Sequence, residues 1–253
     1  MTTALSLRAG FAAGPDLWLS GVLGRPALRL IRTDQPTSDW KGRLASEDLF
    51  VTARLPVKQV AEAGLLQDCG FRTIDAALTL EAGQIVGPSA DSRVRFARIE
   101  DRTAVTSIAG HCFVYSRFHL DPVIPKSLAH QLKAAWASSY FAGKRGDGMV
   151  VAEHNGGVGG FLQLIWVGNV LVIDLIAVAP QAVRQGLARA MIGFAAAHGT
   201  GNARCPISMR VGTQAANVPS VRLYESLGFR LTEACFVLHH HGRGGPYPQE
   251  KSS

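Results

Sequence analysis

The sequence predicts an α/β mixed protein, and three observations carry that prediction. Apolar residues fill 47% and charged residues 18% of the 253 positions, the balance of a chain that buries a core and does not stay disordered. Short β-branched runs alternate with stretches of helical spacing, and glycine or proline stands between them. The run over residues 170–178, Val-Leu-Val-Ile-Asp-Leu-Ile-Ala-Val, is too short for a membrane span and suits an interior strand.

Composition narrows the setting. No run of about 18 or more apolar residues occurs, so neither a spanning helix nor a membrane partner is expected. The N-terminal region mixes glycine, Pro15 and Asp16 into its apolar positions without a basic lead-in, so no signal peptide is expected. Cys69, Cys112, Cys205 and Cys235 show neither CxxC spacing nor the density of a disulfide scaffold, which points to a cytoplasmic location. The formal charge of +7 suits an anionic partner. Its arginines are scattered, with no aromatic-interleaved basic stripe, so a polyanionic small molecule is expected and nucleic acid is not. Oligomeric state is not readable.

Taken in order, strands are expected over residues 27–31 and 49–55, separated by Pro36, Ser38 and Gly42. Residues 57–67 have helical spacing ended by Cys69–Gly70, and a strand follows over 72–80. Residues 81–91, with Gly83, Gly87 and Pro88, read as a linker, so a first domain over 1–90 is expected. A second, over 91–241, opens with a strand over 94–99. Asp101 or Thr103 would cap the following helix, which carries Ala104, Ile108 and Cys112. Residues 115–125 read as a loop and 126–141 as a helix. Strands over 149–154 and 161–167 flank Asn155–Gly156–Gly157, a hairpin signal. After the strand over 170–178 come a helix with Leu187, Met191, Phe194 and Ala195 on one face, a strand over 207–211, a helix over 218–227 and a strand over 230–239. Past His241 the composition turns to glycine, proline and charge, so residues 242–253 are expected to fray.

The chain echoes itself. Leu65-Leu66-Gln67-Asp68-Cys69-Gly70-Phe71-Arg72 and Leu223-Tyr224-Glu225-Ser226-Leu227-Gly228-Phe229-Arg230 both lead from a helix into a strand. The first reads as a degenerate copy of the second, with Leu66 where the later copy has Tyr224.

The stretch after residue 178 carries the chemistry. The strand stops at Pro180, and Arg184, Gln185, Gly186, Leu187, Ala188 and Arg189 turn into a helix. Glycine permits close backbone approach, the arginines bring positive charge, and a helix N-terminus offers free N–H groups, so the turn suits a phosphorylated ligand. Asp174 is the sole charge in its strand and shares a face with Ile176 and Val178, so it could anchor or deprotonate a substrate, or serve the core. Gly156–Gly160 lacks a following helix, and His239-His240-His241 alternates faces without a completing ligand, so no metal is expected. Cys112 and Cys205 lack a histidine at motif spacing.

From Arg93 to His239 the order of elements, the turn Arg184–Arg189 and the string Asn217-Val-Pro-Ser-Val-Arg-Leu-Tyr224 together resemble the GNAT superfamily of acetyl-CoA-dependent N-acetyltransferases. That resemblance implies a GNAT fold, a twisted, mostly antiparallel sheet with flanking helices, preceded here by a smaller, degenerate GNAT-like half. It implies that Ile176, Ala177 and Val178 line the pantetheine of acetyl-CoA. Arg184, Gln185, Gly186, Leu187, Ala188 and Arg189 would hold its pyrophosphate, with Asn217 assisting. Val183 stands where the family usually has glutamine or arginine. Tyr224 would protonate the departing thiolate, a task suited to a phenol with pKa near 10. Arg210 stands where some protein-acetylating relatives carry glutamate, so no general base transfers. His111, Tyr115, Arg117 and His119 flank the region that shapes the acceptor site. The segment 210–217, the strand 174–178 and the N-terminal partial copy look like the TDP-fucosamine acetyltransferases, which acetylate a nucleotide-linked 4-amino-4,6-dideoxy sugar. The implied acceptor is therefore a small-molecule amine. A protein N-terminus or lysine, and a non-catalytic acyl-CoA-binding module, stay open as alternatives.

Overall fold

A computed structural model describes residues 10–33, 40–85, 90–201, 206–242 and 247. In chain order the elements are β1 (Gly10–Pro15), α1 (Leu17–Leu23), β2 (Ala27–Thr33), α2 (Trp40–Ser46), β3 (Phe50–Pro56), α3 (Val60–Asp68) and β4 (Arg72–Ala82). There follow β5 (Val94–Phe96), α4 (Arg102–Cys112), α5 (Arg117–Leu120), α6 (Lys126–Phe141), β6 (Gly148–His154), β7 (Gly157–Val167) and β8 (Val170–Val178). The last are α7 (Leu187–His198), β9 (Ser208–Gln214), α8 (Val218–Ser226) and β10 (Arg230–His241). No helix among the described residues is long and apolar enough to cross a membrane.

Helix α6 and strand β8 coincide with their expected limits. Three early elements, β1, α1 and α2, were not anticipated. Asp16 caps α1 by accepting the Leu19 N–H at 3.1 Å, and Gly24 ends it at φ 66°. The expected loop over 115–125 contains α5. Asp101 precedes α4 without capping it, because its carboxylate is taken by Arg95 at 2.7 and 3.0 Å and by the Arg98 N–H at 2.7 Å. Part of the expected linker, residues 86–89, lies outside the described residues, as does Cys205.

The chain divides into two compact units, Met1–Asp75 with Cys235–Ser253, and Ala76–Ala234. These limits differ from the expected 90/91 and 241/242 because β4 and β10 each run through a division. In the first unit the strand order is β1-β2-β3-β10, with β2 and β3 parallel. Its core gathers Phe11, Trp40, Leu49, Leu66, Phe71 and Leu238. Strand alternation places the His239 and His241 rings on Phe50, at 4.9 and 5.1 Å, and the His240 ring on Phe71 at 5.3 Å. Of the tail expected to fray, residues 243–246 and 248–253 lie outside the described residues. Gly242 donates to the Leu49 carbonyl, and buried Tyr247 meets His241 and the Arg25 guanidinium.

In the second unit the order is β10-β4-β9-β8-β7-β6-β5, with β8 parallel to β9 and the pairs β4–β9, β7–β8, β6–β7 and β5–β6 antiparallel. Asn155 and Gly156, at φ 49° and 78°, make the tight turn between β6 and β7 that the sequence signals. Strand β4 follows α3 yet pairs with β9, while β10 follows α8 yet pairs with β3. Each unit is thus completed by a strand that the sequence echo would assign to the other.

One irregularity opens the second unit. Gln163 of β7 faces Leu175 and Leu164 faces Ile173, so Asp174 is an extra residue, a bulge in β8. The parallel ladder to β9 covers Val170 to Ile173 and stops there, while the other edge of β9 stays paired with β4 from Met209 through Gln214. Beyond the bulge, the β8 edge has no ladder to β9.

Candidate active site

A cleft of about 680 Å³ lies where β8 and β9 separate. Of the residues expected at the site, Asp174, Ile176, Ala177, Val178, Arg184, Gly186, Leu187, Ala188, Arg189, Asn217 and Tyr224 all line it. Gln185 does not; its carbonyl instead accepts from Arg93 Nη1 at 3.3 Å.

The basic turn is built by backbone conformation. Pro180–Ala182 forms a single 3-10 turn, then Arg184 and Gly186 take left-handed φ values of 63° and 76°. A Cβ on Gly186 would meet nothing within 4 Å, so glycine serves the conformation there and leaves open space above it. The intrahelical ladder of α7 begins with the Ala190 N–H on the Gly186 carbonyl. The N–H groups of the first turn therefore remain for a ligand, next to Arg184 and Arg189. Arg189 also donates to the Ser226 hydroxyl at 2.5 Å. Arg93, paired with Asp91 at 2.8 Å, steadies the turn through Gln185, and its guanidinium holds the Asp91 carboxyl down at about 2.

Asn217 caps α8, its Oδ1 accepting the Ser220 N–H at 3.3 Å, which leaves the amide nitrogen for other partners. Tyr224 is 3% exposed and lines the cleft. Its ring packs on Phe229 at 5.6 Å. No described residue hydrogen-bonds its hydroxyl. Burial pushes the phenol well above its ordinary range, so it stays protonated at neutral pH.

Asp174 is bound from three directions. Arg145 donates to both oxygens at 2.7 and 2.6 Å, the Trp136 indole N–H at 2.8 Å and the Gln163 amide at 3.0 Å. The carboxylate ties α6 and the segment after it to the bulge, and this engagement leaves little of it for an incoming amine. The lining also includes residues that the sequence pattern did not single out for the site, among them Ser116 and Lys133. Lys133 is 8% exposed and its ammonium lies 4.6 Å from the Phe113 ring and 4.7 Å from that of Trp136. A lysine on the apolar stripe of a helix was the signal that could have found it. Tyr115, expected near the acceptor, lines the cleft; His111 is exposed and turns Nδ1 to the Ser107 carbonyl. Cys112 also lines it, and burial pushes its thiol up, away from the thiolate a nucleophile needs.

Residues 113–229 match the sequence model of the Acetyltransferase (GNAT) family. Over 139 residues the chain is 27% identical to the spore coat polysaccharide biosynthesis protein SpsD of Bacillus subtilis (strain 168), an alignment covering 55% of this chain and 47% of that protein. The match thus spans about half the length of this curated relative. Among solved structures, a GCN5-related N-acetyltransferase from Kribbella flavida superposes with TM-score 0.56 at 17% identity, covering 87% of this chain and 82% of that one. A tandem GNAT protein from the clavulanic acid biosynthesis pathway gives TM-score 0.55 at 12% identity, covering 86% and 76%. At these identities the structural likeness shows the fold.

Proposed function

We propose, from the match of residues 113–229 to the Acetyltransferase (GNAT) family, that the chain transfers an acetyl group from acetyl-CoA directly to the primary amine of a small polyanionic molecule, best a nucleotide-linked amino sugar. The observation that carries the acceptor class is the charge of the cleft. Besides the arginines of the basic turn, Lys133 lines it, and Asp174, the lone acid there among the described residues, is already bonded by Arg145, Trp136 and Gln163. Such a lining attracts phosphate and offers little to a cationic lysine side chain. The likeness to SpsD, a protein of polysaccharide biosynthesis by its name, supports a sugar acceptor independently.

The residues present fit acetyl-CoA. The first-turn N–H groups of α7, with Arg184 and Arg189, suit its pyrophosphate, and the open space over Gly186 admits it. The unladdered edge of β8 along Ile176, Ala177 and Val178 suits its pantetheine amides. When bound, acetyl-CoA supplies an activated thioester. Tyr224 holds a proton on its hydroxyl, ready for a sulfur that gains negative charge in the same apolar surroundings, where a thiolate is also disfavoured. Protonated Cys112 favours direct transfer over a covalent acyl-enzyme.

The test is thiol release from acetyl-CoA by the full chain against an amine panel: TDP-linked 4-amino-4,6-dideoxy sugars, glucosamine, and a peptide with a free N-terminus and a lysine. Release with the nucleotide sugar and not with the peptide is expected. Release with the peptide alone would replace this acceptor class.

A further inference from the structure

Acetylation of an ammonium requires a proton to leave the amine, and the engaged Asp174 carboxylate does not supply its route. The connection between α4 and α5 does. Ser116 lines the cleft and is 5% exposed. It occupies the N-cap position of α5, yet its hydroxyl caps no backbone N–H. Instead Oγ lies 2.6 Å from Nδ1 of His119. Across the same ring, Nε2 of His119 lies 3.2 Å from Nδ1 of His130 on α6. The His130 ring stacks at 6.1 Å on that of His111, which is exposed.

We propose that Ser116, His119 and His130 form a proton-exit relay for the acceptor amine, an inference that rests on the acetyl-transfer reading above. The amine nitrogen gives one proton to Ser116 Oγ as its lone pair becomes free to attack. The Ser116 hydroxyl proton passes to Nδ1 of His119, the Nε2 proton of His119 to Nδ1 of His130, and the Nε2 proton of His130 to solvent. One proton leaves the amine and one reaches water, and the rings regain their starting tautomers by exchange with solvent. The relay needs His119 neutral between turnovers. Burial, with His130 and Lys133 adding to it, lowers this imidazole to about 4. Those two are the titratable groups facing it from α6. His111 on α4 reaches it through His130, and Arg117 on its own helix lies over the Phe118 ring.

Two measurements on the full chain test the relay. With an amine the wild type acetylates, Ser116→Ala and His119→Gln should each lower kcat by about 10²-fold at neutral pH, with the acetyl-CoA Kd unchanged by calorimetry. The deficit should shrink as pH rises and the amine deprotonates unaided. Ser116→Thr should recover most of the rate, and the double variant should be no slower than either single one, because a relay breaks once. Separately, ¹⁵N ring spectra of the wild type should show His119 protonated on Nε2 and bare on Nδ1. Unimpaired kcat in His119→Gln, or a proton on Nδ1, overturns the relay and leaves the acetyltransferase reading standing. A wild type that releases thiol with no amine of the panel overturns both.

Discussion

Leu66 and Tyr224 hold the same place in two copies of one helix end. The carbonyl of each accepts the N–H of a phenylalanine that follows a left-handed glycine: Phe71 after Gly70 at 3.0 Å, and Phe229 after Gly228 at 3.1 Å. Both side chains are buried. One is hydrocarbon, and the other carries a hydroxyl at the cleft. The echo in the sequence is therefore a repeat of cap geometry, with chemistry added to one copy.

Tyr224→Phe removes that hydroxyl and keeps the cap and the ring contact with Phe229. Thermal stability and acetyl-CoA affinity should stay near wild type while kcat falls by about 10²-fold. Calorimetry and thiol release together check this. Wild-type turnover in the variant would remove Tyr224 from the mechanism.

Gly186→Ala separates conformation from space. No atom opposes the added methyl, so the cost is that of a left-handed alanine, about 1 kcal/mol of stability. The first turn of α7 loses its aim, and the acetyl-CoA Kd should rise several-fold. Asparagine, which tolerates this region, should lie between glycine and alanine. An unchanged Kd in the alanine variant would dissociate the turn from the ligand.

Arg93 links acid stability to the basic turn. Because Asp91 is held at about 2 when folded, below its ordinary carboxylate value of about 3.9, its contribution is present above about pH 4 and is lost as pH falls towards 2. Asp91→Asn should flatten the acid limb of an unfolding curve in that window. Arg93→Leu should in addition weaken acetyl-CoA binding without lowering kcat, since it releases the Gln185 carbonyl. Identical acid limbs for wild type and Asp91→Asn would show that the pair does not couple to folding.

Asp174→Asn keeps the shape and removes the charge that Arg145, Trp136 and Gln163 share. A loss of about 1–3 kcal/mol is expected, because buried donors lose acceptors. It should appear in denaturant melts, with kcat of the folded fraction within a few-fold of wild type. A large fall in kcat at unchanged stability would return Asp174 to the substrate.

Local signals located what local forces decide. Helix α6 shows a continuous apolar repeat after Pro125, and β8 is a short β-branched apolar run broken only by Asp174, so their limits are legible without the rest of the chain. The turn at Arg184 to Arg189 was legible because glycine, proline and charge mark it. Strand β1 and helices α1 and α2 are too short to show a period, although Asp16 and Gly24 mark both ends of α1. Partners of Asp174 come from α6, from the segment after it and from β7, so no window of sequence contains that network. The same holds for the Ser116, His119 and His130 contacts, which join a connection to a separate helix. The places of β4 and β10 were hidden for a related reason: strand patterning says that a residue faces a core, and not which neighbour it pairs with.

The pairing of β3 with β10 sets a timetable for biosynthesis. As the chain leaves the ribosome, β1, β2 and β3 emerge early, but the strand that covers β3 is made only after β4 to β9. Until then β3 presents an open edge of unpaired backbone, a hazard for association between nascent chains. Contacts so distant in sequence also form slowly. The first unit to be synthesised is thus the last to be closed, and a translation product that stops short of β10 should be recovered as aggregate.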